Sequence, residues 1–301
     1  MRVTLSGHET FPFRYGWLKK GFDAIQEDGS LFSADRAITE LGVGKNMVKS
    51  IKYWCSAARL ISADRQPQNG RINYLPTDIG TKLISDAGFD PYFEDPASLW
   101  IIQWQLASNS EQCATWFWLF NYWHGVEFTK GQIFNGVQKW LEQQNTNEVT
   151  ESLLKRDIDC CLRTYVRSRH SLNFVSEESF DCPLTELNLI SLLSDGKTYQ
   201  FRRGEQNSLP DEILLFSITE FWNNNHSEAN SIAFETLAYS VGSPGRIFKL
   251  DPDSLARRLD GISLVSGGIF SYQESAGIKQ LFRHDDVPAL AWLKHYYSKS
   301  R

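Results

Sequence analysis

Polar and apolar positions in the first third of the chain follow a helical rhythm that glycine, serine and aspartate interrupt. Apolar residues recur every three or four positions, which is typical of helices with one buried face. The pattern predicts three helices, over residues 17–26, 33–41 and 45–59, and a strand-like stretch over 71–75 after a polar turn. Helix, tight turn, helix and hairpin is the order of a winged helix-turn-helix. We therefore predict such a domain at residues 1–89.

The pattern changes near residue 90, where aromatic residues become frequent. An aromatic-rich helical bundle domain is predicted at 90–204, with Asp95 as the N-cap of its first helix. Its further helices are predicted over 110–122, 130–144 and 150–166. A C-terminal domain at 205–301 is predicted to be a second winged-helix-like module, with helices at 211–222, 231–240 and 253–259 and alternating residues at 269–272. The predicted fold class is mainly α, with small β wings.

The helix predicted at 45–59 has a basic face. At about 100° per residue, Lys45, Lys49 and Lys52 fall in one narrow stripe, and the apolar side chains lie on the far side. A basic stripe on a helix whose back is packed suits contact with a phosphate backbone. Asn46 and Ser50, near the front of this helix, could reach base edges or phosphates. A lysine-rich face that only keeps the protein in solution is the alternative.

Other basic residues extend this predicted DNA-binding surface. They are Arg14, Lys19 and Lys20 in the opening segment, Arg65 and Arg71 at the predicted hairpin tip, and Arg246. Arg246 ends the glycine-containing loop GSPGR, whose backbone N–H groups could approach a phosphate. A tight turn between two helices is the alternative explanation of this loop.

Length and charge limit the class of protein. The chain has 301 residues, is 42% hydrophobic and carries a net charge of −5, so it can form two or three cored domains but has no overall basic coat. Residues 1–84 nevertheless contain 12 Lys/Arg and 8 Asp/Glu, which places a positive surplus at this end. No segment has the apolar run of a secretory signal or a membrane span. We expect a cytoplasmic protein with no membrane partner.

The 5 cysteines indicate neither a disulfide framework nor a zinc site, because their number is odd and no CxxC pair exists. We interpret them as reduced, mostly buried thiols. The phosphate-binding motif GxxxxGK[ST] is absent, so ATP hydrolysis is not expected of this chain.

The opening stretch HETFPFRYGWLKKG alternates aromatic residues, which predicts a strand with the rings on one face. This stretch resembles the opening of a family of bacterial proteins of unknown function that are encoded beside DNA phosphorothioation genes. The similarity continues through LGVGKNMVKSIKYW, DPYFEDPASLWIIQWQLASN and IAFETLAYSVGSPGRIFKLD. Within that anti-phage system, the family looks like the SspB component, to which DNA nicking is ascribed. The resemblance implies double-stranded DNA, a cysteine desulfurase and an ATP-using sulfur-transfer protein as partners.

Catalytic residues are sought from what nicking chemistry needs. Metal-assisted phosphodiester cleavage requires two or three converging carboxylates around Mg²⁺ or Mn²⁺, often with a histidine or lysine nearby. The candidates are His8, Glu9, Asp157 and His284. For each of them, helix capping or a solvated side chain is the alternative.

Two hypotheses follow. In the first, the protein is a DNA-binding component of the modification system that nicks duplex DNA, as a metal-dependent endonuclease, or positions it for sulfur insertion. In the second, it is a non-enzymatic winged-helix adaptor or a transcription regulator. The lack of an evident carboxylate site favours the adaptor, whereas the lack of a dimerisation helix disfavours the regulator.

Overall fold

The computed structural model describes residues 3–64, 72–146, 149–167 and 182–299. The helices in these ranges are α1 (Trp17–Glu27), α2 (Ala37–Leu41), α3 (Lys45–Ala57), α4 (Asp78–Ile84), α5 (Pro96–Ala107), α6 (Ala114–Asn121), α7 (Lys130–Gln143), α8 (Glu151–Tyr165), α9 (Asp211–Asn225), α10 (Phe234–Tyr239), α11 (Pro244–Ile247), α12 (Pro252–Asp260), α13 (Ile262–Val265) and α14 (Leu290–Lys299). The strands are β1 (Ile61–Ala63), β2 (Tyr74–Pro76), β3 (Glu127–Thr129), β4 (Ile190–Leu192), β5 (Thr198–Phe201), β6 (Ser231–Ala233), β7 (Phe270–Ser275) and β8 (Ile278–Arg283). A mainly α fold with small antiparallel sheets is thereby confirmed.

The chain divides into two compact units. Unit 1 comprises Met1–Leu119 and Glu127–Gln200, and unit 2 comprises Phe120–Val126 and Phe201–Arg301. Most of the segments 1–89 and 90–204 therefore belongs to unit 1, and their status as separate domains stays a prediction. Within the described residues, no helix combines the length and the apolar character needed to cross a membrane.

Helices α1, α2 and α3 and the β1–β2 hairpin form the first part of unit 1. Gly42 ends α2 in the left-handed conformation, with a φ of 61°, which turns the chain towards α3. The hairpin is antiparallel, with Ser62 opposite Leu75. Helices α1 and α3 approach closely at Gly21, where a Cβ atom would lie 2.6 Å from side-chain atoms of Ile51 and Cys55. These elements follow one another in the predicted order.

Helix α5 lies inside unit 1 and is buried along its whole length. Trp100 and Trp104 are only 0% and 2% exposed, so their helical spacing marks them as core residues. The predicted cap is confirmed, because the Asp95 carboxylate accepts a hydrogen bond from the Ala97 N–H at 2.8 Å. Pro96 occupies the first turn, where its missing N–H leaves no helical hydrogen bond unmade.

The five cysteines are free and buried, as the sequence predicts. Burial raises the pKa of the Cys113 thiol to about 12. Such a thiol stays protonated at neutral pH and is a poor nucleophile or metal ligand. The cysteines therefore contribute to packing in unit 1.

Unit 2 contains a three-stranded sheet in the order β6-β8-β7. The prediction of one helix over 231–240 is wrong, because residues 231–233 form β6 and α10 begins at Phe234. Ile232 pairs with Leu281 of β8. Hydrogen bonding to a strand nearly fifty residues away decides the conformation of this short segment, and the local pattern does not record it.

The close packing of α4 gives a stability prediction. A Cβ atom at Gly80 would lie 2.2 Å from the carbonyl oxygen of Leu60, and backbone cannot move aside as a flexible side chain can. We expect Gly80→Ala to lower the free energy of unfolding by about 2 kcal/mol or more. The measurement is the urea unfolding curve of purified wild type and variant.

The matched control is Gly131→Ala in α7, where nothing lies within 4 Å of the added Cβ atom. This substitution should raise stability by up to about 1 kcal/mol, since alanine loses less backbone entropy in a helix. Equal unfolding midpoints for the two variants would contradict the close approach of α4 to Leu60.

Candidate nucleic-acid interface

Helix α3 exposes a basic stripe and buries its remaining faces. Lys45, Asn46 and Lys49 are exposed and Lys52 is half-buried. The buried residues of the helix are Val48, Ser50, Ile51, Tyr53, Trp54, Cys55 and Ala57. The lysines therefore have the arrangement that the helical pattern predicts. Ser50 does not fit a surface role, because it is fully buried and its hydroxyl lies 3.5 Å from the Phe11 carbonyl oxygen.

The segment before α1 begins with a turn, and the predicted strand of alternating aromatic residues is wrong, because residues 11–14 have no regular secondary structure and residues 15–16 form a turn. Ser6, Glu9 and Thr10 have positive φ values of 54°, 48° and 69°. A hydrogen bond from the Phe11 N–H to the His8 carbonyl oxygen, at 2.9 Å, closes the turn. Left-handed residues cannot continue a strand. The segment that we call the Ser6–Thr10 turn instead directs His8 inwards and Glu9 outwards.

His8 and Asp157 were separate candidates in the sequence, and the structure brings them together. The Asp157 carboxylate accepts hydrogen bonds from His8 Nε2 at 2.9 Å, the Ser6 N–H at 2.6 Å and the Thr115 hydroxyl at 2.6 Å. His8 and Asp157 are 0% and 1% exposed. Three donors thus surround one buried carboxylate, which is how a buried charge is accommodated.

The hydrogen bonds of His8 define its tautomer. Its Nδ1 lies 3.0 Å from the Thr10 N–H and can only accept there, so the ring proton is on Nε2 and is donated to Asp157. The imidazole also stacks on Trp54, with ring centroids 6.0 Å apart. Both ring nitrogens are occupied and solvent is excluded, so the arrangement anchors the Ser6–Thr10 turn and leaves no nitrogen to act as a general base.

Helix α8 carries a second basic face in unit 1, which the sequence interpretation missed. A cleft of about 570 Å³ is lined by Arg156, Arg163 and Arg167, together with Lys130 of α7 and Asp159. Four basic side chains thus face one acid. The spacing of residues 156, 159 and 163 on one side of the predicted helix was the available signal.

The charge of Lys130 is maintained inside this cleft. Its ammonium lies 2.6 Å from Asp159 Oδ1. Partial burial is the largest single effect and acts against the charged form, but the hydrogen bond to Asp159 and the attraction of Tyr199 and Asp159 together outweigh it and raise the pKa of Lys130. The cleft therefore retains a positive surplus at neutral pH, as an anion-binding surface requires.

The Ser6–Thr10 turn connects the two basic faces. Glu9 forms an ion pair with Lys49 of α3 at 3.0 Å. The Arg163 guanidinium of α8 donates a hydrogen bond to the Thr10 carbonyl oxygen, and Thr10 also lines the cleft. We call the α3 stripe, this turn and the α8 cleft the unit 1 basic surface.

The remaining predicted residues of the opening segment differ in accessibility. Lys19 is 6% exposed, and its ammonium lies 2.6 Å from carboxylate oxygens of both Asp23 and Asp86. Its charge is neutralised inside unit 1, so it is removed from the predicted DNA contacts. Lys20 is exposed and donates to the Leu41 carbonyl oxygen at 3.0 Å. Arg14 is half-buried against the ring of Trp17.

The predicted hairpin-tip contacts, Arg65 and Arg71, lie outside the described residues. In unit 2, His284 is exposed, and its Nε2 lies 2.7 Å from the Ser271 hydroxyl. The neighbouring acids Asp285 and Asp286 are also exposed. This local cluster has the loop position that the sequence indicates.

The GSPGR sequence begins in the turn between α10 and α11, and its last three residues lie in α11. The Gly242 N–H donates to Asn121 Oδ1 at 2.7 Å, so it is not free for a phosphate. At Gly245 a Cβ atom would lie 2.6 Å from the Ala238 carbonyl oxygen, and this glycine therefore serves close packing. The turn explanation accounts for both glycines, and the side chain of Arg246 is what remains of the predicted anion contact.

Among the described residues, no three His, Cys, Asp or Glu side chains come together in a way that could hold a metal ion. The two acids of the unit 1 basic surface, Glu9 and Asp159, are each paired with a lysine.

The fold and the site define a mainly helical protein whose first unit has an extended basic surface. A model of the family described as "Protein of unknown function (DUF4007)" matches residues 5–297. The chain belongs to this family. A comparison with curated proteins gives no match.

Two solved structures are similar to the chain over nearly its full length. They are an SspB crystal structure and a magnesium ion-bound SspB crystal structure. Each shares 27% sequence identity and has a TM-score of 0.88, and the match covers 99% of this chain and 89% of the other. The similarity to SspB that the sequence blocks indicate is thus confirmed.

The buried carboxylate gives a second prediction. Asp157→Asn replaces an acceptor that serves three donors with an amide that has a single acceptor oxygen, so buried donors lose their partner. We expect a loss of about 3 kcal/mol in the free energy of unfolding. The control is Asp159→Asn, two residues along the same helix and exposed, which should change stability by less than about 1 kcal/mol.

Urea unfolding of both variants, together with DNA binding of the folded protein, makes the measurement. An Asp157→Asn protein as stable as wild type would show that the carboxylate does not anchor the turn. In that case His8 and Asp157 would again be candidates for chemistry.

Proposed function

We propose that the chain is the DNA-binding component of a bacterial DNA phosphorothioate-modification and anti-phage defence system. The observation that carries this proposal is the unit 1 basic surface, in which lysines and arginines from α3 and α8 flank one turn. The resemblance to proteins encoded beside phosphorothioation genes, and the similarity to SspB structures, supply the biological context. A cysteine desulfurase and an ATP-using sulfur-transfer protein are the proposed protein partners.

The first step of the proposed mechanism is capture of the duplex. We interpret α2, α3 and the β1–β2 hairpin as a winged helix-turn-helix, with α3 lying along the DNA. Lys45, Lys49 and Lys52 would then contact phosphates, and Asn46 is the exposed amide that could read a base edge. A duplex lying along α3 would continue onto the α8 cleft, because the Ser6–Thr10 turn touches both faces.

The second step is nicking, or positioning of the strand for sulfur insertion. Glu9 is a half-buried carboxylate inside a basic surface, where a phosphate and Mg²⁺ or Mn²⁺ could reach it. A magnesium ion is bound in one of the similar SspB structures. The non-enzymatic adaptor remains the second candidate, and the lack of a three-ligand metal cluster among the described residues favours it.

Charge removal from α3 tests the capture step. We expect Lys45→Gln, Lys49→Gln and Lys52→Gln together to reduce the slope of log affinity against log salt by about two to three units, since each lysine would release about 0.9 of a counterion. The measurement is fluorescence anisotropy of a labelled duplex at several NaCl concentrations. The matched control replaces the exposed lysines of unit 1 that lie outside the surface, Lys82, Lys139 and Lys197.

Equal slopes for the α3 variant and its control would contradict the proposed docking of α3. A reduction shared equally by both variants would indicate a diffuse attraction between the whole unit and DNA. A thermal unfolding curve for each variant excludes loss of the fold as the cause.

Nicking is tested with supercoiled plasmid, purified protein and Mg²⁺, Mn²⁺ or EDTA, by following the open circle. If the chain cuts DNA through the carboxylates of this surface, Glu9→Gln or Asp159→Asn should abolish metal-dependent nicking. Duplex binding should be kept or tightened, because each change removes a negative charge. Glu151→Gln on α8, an exposed acid paired with Lys155, is the control.

Metal-dependent nicking that survives both substitutions would remove these residues from the chemistry. An untouched plasmid that still shifts in a gel would favour the positioning role, with the strand cut by a partner.

A further inference from the structure

Unit 2 contains a cationic cluster that the unit 1 basic surface does not include. The Arg246 guanidinium lies 2.8 Å from His124 Nδ1. The Arg203 guanidinium donates to the carbonyl oxygen of His124 at 2.8 Å and to that of Gly125 at 3.3 Å. Both guanidinium groups are therefore hydrogen-bonded to His124. Each of them still has N–H donors that these bonds do not use.

The contact with Arg246 defines the tautomer of His124. A guanidinium only donates hydrogen bonds, so Nδ1 must accept and the imidazole is neutral. The ring proton is then on Nε2, and His124 is exposed. The cluster thus presents one imidazole N–H donor beside two permanent positive charges, which are the groups that recognise an oxyanion.

A buried lysine adds to the positive field of this cluster. Lys249 is 3% exposed, donates to the Phe120 carbonyl oxygen at 2.7 Å and lies 4.1 Å from the ring centroid of Phe201. Burial lowers the pKa of Lys249 well below its usual value, and Arg203 and Arg246 lower it further. A nearby anion would relieve this unfavourable environment.

Carboxylates do not neutralise the cluster within the described part of the chain. Arg203, Arg246 and Lys249 take part in none of its ion pairs, whereas Arg257, Arg258 and Arg283 of the same unit each have an acidic partner. Cations that lack acidic partners while their neighbours have them are the pattern of an anion site rather than of a structural salt-bridge network.

The surroundings of the cluster favour a nucleic-acid strand as the source of the anion. Arg246 Nε donates to the carbonyl oxygen of Tyr239 at 3.0 Å, and the side chain of Tyr239 is 51% exposed. An exposed aromatic ring beside arginines can stack on a base or a sugar while the cations hold the phosphate. A free phosphate ion has no base or sugar that could stack on the ring.

We propose that His124, Arg203 and Arg246 form a phosphate-binding site in unit 2 that holds a phosphodiester group of DNA, with Tyr239 against the adjoining nucleoside. This inference rests on the proposed function, in which the protein binds DNA. It makes unit 2 a direct participant in DNA binding, in addition to any role in contacting other proteins.

The test measures duplex affinity against NaCl concentration for wild type and the double variant Arg203→Gln/Arg246→Gln. The slope of log affinity against log salt should fall by about one to two units. The charge-preserving variant Arg203→Lys/Arg246→Lys should keep the slope. The control is Lys279→Gln/Lys294→Gln, which removes two charges from β8 and α14 of the same unit.

If the double variant does not fold, a single change at His124 provides a milder test. The informative substitution is His124→Phe, which keeps a ring, removes the imidazole N–H donor and leaves the charge unchanged, so we expect the affinity to fall about three- to tenfold with an unchanged slope. Thermal unfolding midpoints show which variants remain folded.

Each outcome has a separate meaning. An unchanged slope in a folded Arg203→Gln/Arg246→Gln protein, with wild-type binding intact, overturns this inference and leaves the proposed function in place. A wild type that binds no DNA at low salt overturns both this inference and the proposed function.

In parallel, inorganic phosphate is titrated against protein with ¹⁵N-labelled imidazoles, and His124→Phe assigns the signal. A shift of His124 Nε2 together with an unchanged DNA slope would identify a site for free phosphate and overturn the DNA assignment.

Discussion

The buried Asp157 carboxylate is the interaction on which the basic surface of unit 1 depends. It collects the Ser6 N–H, the His8 imidazole and the Thr115 hydroxyl at distances of 2.6–2.9 Å. A carboxylate inside a protein is stable only if such donors surround it, so the turn before α1 has little freedom to adopt another conformation. Glu9 follows His8 in sequence, and it must therefore point outwards, towards Lys49.

The same constraint gives different roles to residues that the sequence pattern does not distinguish. His8 and Glu9 are neighbours in a segment with the composition of a strand, and Asp157 and Asp159 share one helix. His8 and Asp157 are buried, whereas Glu9 is half-buried and Asp159 is exposed. The buried members hold the turn to α8, and Glu9 and Asp159 lie among lysines and arginines. In each pair, one residue thus stabilises the fold, and its near neighbour is part of the proposed DNA-binding surface.

Features that depend on residues close together in the sequence could be predicted, whereas features that depend on distant residues could not. The lysine stripe of α3 and the cap at Asp95 depend on residues within a few positions, and both are where the pattern places them. The Ser6–Thr10 turn depends on a contact 149 residues away, and positive φ values at Glu9 and Thr10 leave no local signal in the sequence. Strand β6 was missed for the same reason, because its pairing with β8 is long-range.

Two buried lysines show why a count of basic residues is a poor predictor of an anion-binding surface. Lys19 was predicted to contact DNA, yet two carboxylates lie 2.6 Å from its ammonium and cancel its field. Lys249 is also buried, but it packs against a carbonyl oxygen and aromatic rings, with Arg203 and Arg246 nearby. Lys19 therefore stabilises the fold without attracting an anion, whereas Lys249 adds to an uncompensated positive potential. Attraction for an anion therefore depends on which charges lack partners, and a net charge of −5 does not decide it.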